Sequence, residues 1–366
     1  LVAAACSRDA DAGDAEGSEG SSGDVVESGD SSGSGDDGIP CQDDDATMEL
    51  PGVEVTYFGQ QIDVAPEARS VLADGSVLVL SHDTELAAHL SFVRPGADSS
   101  NVELASSAEA YGYEFAAVAL DFGGDRCAVY VRSGETLKFA CEGGTPEDSG
   151  VEMSAGGGGN GGRGLLPLAL PDGSLVVYGQ GAPASYDAAM RDATGSWQKV
   201  EKNESSISWA DDAVLHLGQP VTCFIGAGGS ASIDMGAQKV ALGLASNRCR
   251  MLATADRLHL LLSDGHVSLA WDALLPPAQP TPVDVGTNDP GPLFALGDHA
   301  YVIADRGTSV DAVPLTGGDA VELDAEGSLD AMRVDGSIFR GVSSERVANA
   351  DGSVMAEIRM STRCLD

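Results

Sequence analysis

A short hairpin recurs along this chain at a nearly constant interval, and that interval restricts the fold more than any other feature. In "SVLADGSVLVL" an apolar strand runs into Asp74-Gly75 and returns as a second apolar strand. The same layout recurs in "FAAVALDFGGDRCAVYV" near Asp125 and in "LLPLALPDGSLVVYG" at Asp172-Gly173. It continues at Asp211 in "SISWADDAVLHLG", Asp256 in "CRMLATADRLHLLL", Asp298 in "LFALGDHAYVIA" and Asp335-Gly336 in "DAMRVDGSIFRGV". Asp-Gly supplies the positive φ angles of tight hairpin turns, and the flanking residues favour strands. The seven aspartates lie 51, 47, 39, 45, 42 and 37 residues apart. About 40–45 residues is the size of one four-stranded propeller blade, so the spacing predicts an all-β propeller of seven blades with these turns on one rim. Six or eight blades also fit the pattern. An eighth turn, Asp351-Gly352, follows the seventh by 16 residues and belongs to the same blade as a second hairpin.

One blade is legible in full, with strands over Leu165–Leu170, Ser174–Gly179, Ser185–Met190 and Ser196–Glu201. Glu85–Phe92 offers the one helical turn in the pattern. The hairpins "PDGSLVVYG" and "ADGSVLVLS" resemble those of TolB-like bacterial propellers. "RDATGSWQKV" (Arg191–Val200) resembles the Asp-box of sialidase-like propellers, with one residue more between Asp192 and Gly195. In those families the Asp-box is a structural turn, so the resemblance implies fold and not glycoside hydrolysis.

The N-terminal stretch has a different character. "LVAAAC" sets small apolar residues directly before Cys6, and Ser7 to Asp45 is then dominated by Gly, Ser, Asp, Glu and Ala, with Arg8 its one basic residue. The first residue is Leu1 and not Met, as expected of a segment cut from a longer precursor. The hexapeptide resembles the lipobox of bacterial lipoproteins, in which the cysteine is lipidated and becomes the mature N-terminus. That resemblance implies a signal-peptide remnant and lipobox over residues 1–6, with Cys6 as the anchor. The resemblance places the protein in the bacterial envelope, at the outer membrane or cell surface, and in a diderm bacterium Ser7 in place of aspartate implies the outer membrane. Residues 7–50 read as a disordered acidic tether, because such a segment buries too little apolar surface to offset its ordering entropy. Residues 51–366 read as the propeller. "GDSSG" within the tether formally fits G-x-S-x-G but lacks the strand, turn and helix that motif requires.

The cysteine count fits an exported protein. Seven are present, and setting Cys6 aside leaves an even six: Cys41, Cys127, Cys141, Cys223, Cys249 and Cys364. In an oxidising compartment an even remainder reads as three disulfides. In "CAVYVRSGETLKFAC", antiparallel pairing about Gly134 places residues whose numbers sum to 268 opposite one another, and 127 + 141 = 268. Cys41 and Cys364 flank the repeats, where a bridge would fasten the first blade to the last. Cys223–Cys249 follows by elimination only.

No catalytic constellation emerges. The chain carries 57 acidic against 20 basic residues, a net charge of −37. This disfavours nucleic acid and anionic membrane surfaces, both of which select clustered Lys and Arg. No apolar run approaches the roughly 18 residues that span a bilayer. The histidines, His82, His89, His216, His259, His266 and His299, are scattered. A turn at Asp264-Gly265 pairs His259 with Ala270 and keeps it from His266, which argues against zinc; His216 and His259 read as blade-core residues. Ser154–Gly164 is a glycine-rich loop that leads into a strand and lacks phosphate-cradling geometry. Asp43–Asp45, Asp211-Asp212 and "DVGTNDPGP" offer the oxygens that calcium takes, without specific ligand spacing. Trp197, Trp209 and Trp271 lie near strand ends and read as blade packing. The expectation is a monomeric, lipid-anchored, non-catalytic propeller that binds a protein or glycan, touches the membrane only through its anchor, and has no cofactor or metal residue assigned. The alternative is a secreted sialidase-like hydrolase or lyase, which requires converging arginines, paired carboxylates and a tyrosine at the central funnel.

Overall fold

The computed structural model describes residues 41–365 except 58–59, 86, 97–101, 108–114, 133–134, 154–163, 180–185, 202–207, 227, 237, 273, 275–278, 288–289 and 325–327. Cys6 and residues 7–40 of the expected tether therefore lie outside the described residues, as does most of the glycine-rich loop. The chain enters with β1 (Asp44–Pro51) and a hairpin of β2 (Val53–Tyr57) and β3 (Gln60–Val64). Blade 1 is β4 (Glu67–Val71), β5 (Val77–His82), β6 (Ala88–Val93) and β7 (Val102–Ser107). Blade 2 is β8 (Phe115–Phe122), β9 (Asp125–Arg132), β10 (Thr136–Cys141) and β11 (Glu147–Glu152). Blade 3 is β12 (Leu165–Ala169), β13 (Leu175–Gly179), β14 (Tyr186–Arg191) and β15 (Trp197–Glu201). Blade 4 is β16 (Ser208–His216), β17 (Gln219–Gly226), β18 (Ser230–Asp234) and β19 (Lys239–Ala245). Blade 5 is β20 (Cys249–Ala253), β21 (Arg257–Leu262) and β22 (Gly265–Ala270). Blade 6 is β23 (Leu293–Leu296), β24 (His299–Asp305), β25 (Val310–Pro314) and β26 (Val321–Asp324). Blade 7 takes β27 (Ala331–Asp335), β28 (Ile338–Ala348) and β29 (Val354–Cys364) and completes itself with β1.

The fold is thus a seven-bladed β-propeller. Every blade is antiparallel with its strands in sequence order from the axis outward, apart from β1, which is the outermost strand of blade 7. The core lies between blades, so most strands are apolar on both faces. Leu78, Leu90 and Phe92 of blade 1 meet Ala117 and Tyr130 of blade 2, and Val77 and Val79 meet Val342 and Ile358 of blade 7. A strand buried on both faces reads as a continuous apolar run, as in "VLVL" of β5.

Ring closure rests on β1. Eight consecutive residues, Asp44 to Pro51, pair with Thr362 to Met355. Cys41–Cys364 bridges the two ends of the ring across 323 residues of sequence. Asp43 accepts the Cys364 N–H at 2.9 Å, and Arg363 donates to Asp45 at 2.7 Å. The tether boundary at residue 50 therefore moves: residues 44–50 are strand. Their acid content hid an alternation in which Ala46, Met48 and Leu50 turn inward while Asp45, Thr47 and Glu49 face water. The other two disulfides are Cys127–Cys141, directly opposed in the register of β9 and β10, and Cys223–Cys249, which joins blade 4 to blade 5.

The remaining departures from the sequence reading have local causes. Leu72-Ala-Asp-Gly-Ser76 and Leu170-Pro-Asp-Gly-Ser174 are not two-residue turns. Each is closed by hydrogen bonds from Gly to Leu and from Leu to Ser; the aspartate caps the serine N–H at 2.9 Å and glycine alone takes positive φ. Asp211 is not a turn. It sits at a bulge within β16, and the hairpin turns at Leu217-Gly218. Asp351-Gly352 joins β28 to β29 and so lies on the rim opposite the turns that end each blade's first strand. The expected helical turn at Glu85–Phe92 is a loop leading into β6. Asp83 Oδ1 accepts the N–H of Glu85 and of Ala87, a helix-like cap, after which Leu90 and Phe92 resume strand pairing. Blade 5 shows three strands and not four among the described residues, with one bridge from Thr281 to His266 at the fourth position. Pro280 and Pro282, on either side of Thr281, lack the N–H donors a strand needs. Gly265, at φ 136°, lets Thr281 approach; a Cβ there would stand 2.2 Å from the Thr281 carbonyl oxygen.

The sequence separations rank the bridges. Removing the 323-residue clasp by Cys41→Ser with Cys364→Ser should cost about 6 kcal/mol on loop-closure entropy, against about 3 kcal/mol for the 14-residue hairpin bridge. Denaturant midpoints of the two double variants test this order; an equal or reversed order contradicts it.

Candidate functional site

The two rims of the ring differ. Connections from the first to the second strand of a blade contain two to five residues, whereas those that run on to the next blade reach 12 residues before Leu165; the 22 residues before Leu293 leave β22 on the rim of the first turns and pass the fourth-strand position at Thr281. Because the strands alternate in direction, the first-to-second turns share one rim and the inter-blade connections share the other. Long connections on a rigid scaffold are where binding residues concentrate. The loop-bearing rim surrounds the mouth of the central channel.

The channel encloses a cavity of about 380 Å³. All seven first strands, or the residues just before them, line it, including Val71, Val118, Leu165, Val214, Met251 and Ala331. Its charged groups are Arg69, Asp211, Asp212, Arg250 and Asp330. The β16 bulge between Ala210 and Asp212 turns two successive carboxylates toward β20. Asp211 Oδ2 accepts the Cys249 N–H at 2.5 Å and the Arg250 guanidinium at 3.2 Å. Asp212 accepts the N–H groups of Met251 at 2.7 Å and Ala213 at 2.8 Å. Arg250 also donates to the Pro290 and Asp211 carbonyls. Burial pushes the Asp212 carboxyl up, against the pull of Arg250 and the two N–H donors. Burial likewise raises Asp330, opposed by hydrogen bonds from Ser344. Arg69 is paired with Glu67 at 2.5 Å. Asp211, Asp212 and Arg250 thus brace β16 against β20, and Asp330 accepts from Ser344 of β28, whereas Arg69 pairs within its own strand. The described lining holds two arginines, each bound to an acid, and no tyrosine.

The sequence reading missed Arg69, Arg250 and Asp330. A signal was present: a charged residue inside or just before an otherwise apolar first strand, as in "EARSV", "CRMLA" and "LDAMRV". Asp211 and Asp212, read as a calcium candidate, bind backbone N–H groups and Arg250. Asp43 and Asp45 serve the ring closure, and Asp284 caps Gly286. Among the described residues no group of three or more His, Cys, Asp or Glu is arranged to hold a metal.

The histidines require one correction. β21 and β22 pair Leu262 with Gly265 and His259 with Ser268, two residues from the expected register, because the turn falls at Ser263-Asp264. His259 and His266 become diagonal neighbours, with Nδ1 and Nε2 3.1 Å apart and parallel rings. Burial lowers both pKa values, His266 to about 4. His216 stacks on Trp271 at a 3.6 Å centroid separation, and Trp197 packs edge-on against Phe139 while donating to Glu147. The Trp209 side chain lies outside the described residues. The Asp-box-like stretch is a turn between the third and fourth strands of blade 3, in which Asp192 accepts from Thr194 and Ser196.

No protein-family model matches the chain, and no curated protein matches it in sequence. Among known structures, it is similar to BamB from Moraxella catarrhalis, at 13% identity and a TM-score of 0.49, over 82% of this chain and 89% of that one. It is similar to the Pan2 WD40 domain of Neurospora crassa, at 8% identity and TM-score 0.45, over 80% and 89%. It is also similar to Raptor of Chaetomium thermophilum, at 9% identity and TM-score 0.47, over 87% of this chain and 30% of that one.

Two measurements check the side-chain assignments. Asp211→Ala removes the carboxylate facing the buried Arg250 guanidinium and the acceptor of the Cys249 N–H, and should lower stability by about 3–5 kcal/mol in denaturant unfolding; a loss below 1 kcal/mol would contradict the brace. Because His266 titrates lower in the fold than in the unfolded chain, its stabilising contribution is complete above pH 6.5 and declines as pH falls toward 4. Tm should therefore drop through that window, and His266→Gln should flatten the drop; an unchanged profile would contradict it.

Proposed function

We propose that the chain is an exported, lipid-anchored bacterial envelope protein whose propeller binds a protein or glycan at the loop-bearing mouth without transforming it. The observation that carries the binding reading is the engagement of the channel charges. Asp211, Asp212 and Arg250 are held by β16 and β20. Groups held this way position strands and are poorly placed to act on a bound molecule. Export is supported by the cysteines: six form three bridges, which leaves Cys6 as the seventh, in its lipobox-like setting. Each buried acyl methylene contributes about 0.8 kcal/mol, so two or more chains would hold the protein durably on a bilayer. A domain of such negative charge is repelled by an anionic leaflet, and the acidic segment after Cys6 would keep the propeller clear of it.

The test compares the full precursor with its Cys6→Ala variant in detergent-phase partitioning. The native protein should enter the detergent phase and the variant the aqueous phase; a variant that remains in the detergent phase contradicts the anchor. The soluble variant, applied to glycan and envelope-protein arrays, should retain a partner of unchanged mass. A cleaved or altered partner contradicts the non-catalytic reading.

A further inference from the structure

The rim away from the loops carries one residue that breaks two local rules at once. Leu217 is the most exposed large apolar side chain among the described residues, at 88%. It is also the one described non-glycine residue with positive φ, at 49°. It takes the first position of the two-residue turn between β16 and β17, with Gly218 following at φ 74°. Such turns favour asparagine, aspartate or glycine. Leucine strains the backbone there and sets most of its side chain in water, with little packing among the described residues to offset either.

Single exposed leucines are ordinary, but this one belongs to a patch that crosses three blades. Exposed Pro171, in the first turn of blade 3, lies 3.2 Å from where a Gly218 Cβ would stand. His216, just before Leu217, stacks on the indole of Trp271, whose Nε1 donates to the Thr254 carbonyl in the first turn of blade 5. The turns of blades 3, 4 and 5 therefore abut, with the leucine standing clear of them. The charges of these turns are Asp172, Asp256 and Asp272, all exposed, and Arg257, whose guanidinium is bound to Ser268.

We propose that this knob is the docking point for a basic polypeptide segment. The segment lays an apolar side chain against Leu217, Pro171 and the His216–Trp271 stack, and sets lysines or arginines toward Asp172, Asp256 and Asp272. Charge decides among occupants: a second copy of a −37 chain and an anionic leaflet are both repelled, whereas a cationic segment is drawn in and desolvates the leucine. The rim is opposite the loop-bearing mouth, so this surface stands or falls independently of the partner proposed there.

The experiment selects random dodecapeptides by display on the full chain and compares it with Leu217→Asn, which relieves the backbone strain and should melt at or above the temperature of the native protein. Peptides retained by the native chain and lost by the variant should be rich in Lys or Arg around an apolar residue. As synthetic peptides they should bind the variant at least about tenfold more weakly, and the native chain more weakly as salt rises. Peptides that bind both proteins equally, or a discriminated pool that is neutral or acidic, would overturn the proposal. So would sedimentation showing a native dimer that the variant dissolves, because that result assigns the knob to a second copy.

Discussion

The pairing of Asp44–Pro51 with Met355–Thr362 is the contact on which every other part of this molecule depends. Each blade is apolar on both faces and can be buried only between two neighbours, so an open row of seven would leave two blades half exposed. Closure removes both ends at once. It joins segments that lie more than 300 residues apart, and nothing local favours that meeting. The structure compensates with several ties at one place: an eight-residue register, the Cys41–Cys364 bridge, the Asp43 cap on Cys364 and the Arg363–Asp45 pair.

The shortage of basic residues makes their placement informative. Arg126 and Arg94 of blades 2 and 1 converge on Asp74, where burial alone would raise the carboxyl but their hydrogen bonds and the Ser76 N–H hold it far below its usual range. Arg191 makes a two-point contact with Glu147 and covers the Phe122 and Phe139 rings between blades 2 and 3. Arg250 does comparable work between blades 4 and 5, beside the Cys223–Cys249 bridge. Many of the arginines tie one blade to the next or one end of the chain to the other. Much of the surplus of acid is left facing solvent.

Much of the ring was legible in the chain because a propeller repeats its local chemistry. The spacing of the hairpins pointed to seven blades, with six or eight also fitting, and the sum of 268 placed Cys127 opposite Cys141. What escaped was set by contacts distant in sequence. The acids of residues 44–50 concealed a strand whose partner is the C-terminus. Asp211 looked like a turn residue, but a bulge and the donors of β20 claimed it, and a leucine with no turn propensity made the turn. A two-residue shift in one hairpin joined two histidines that the expected register kept apart. The channel charges were missed because charge inside an inner strand makes sense only once seven such strands face one axis.

The account turns on β1 being an integral strand of blade 7, and hydrogen exchange read by mass spectrometry tests this most directly. In the intact, oxidised protein the amides of residues 44–50 should exchange as slowly as those of β28, at rates that track opening of the whole ring. Exchange of those amides within seconds, while β28 stays protected, would show that the N-terminal segment is not part of the sheet and that the ring is closed by some other means.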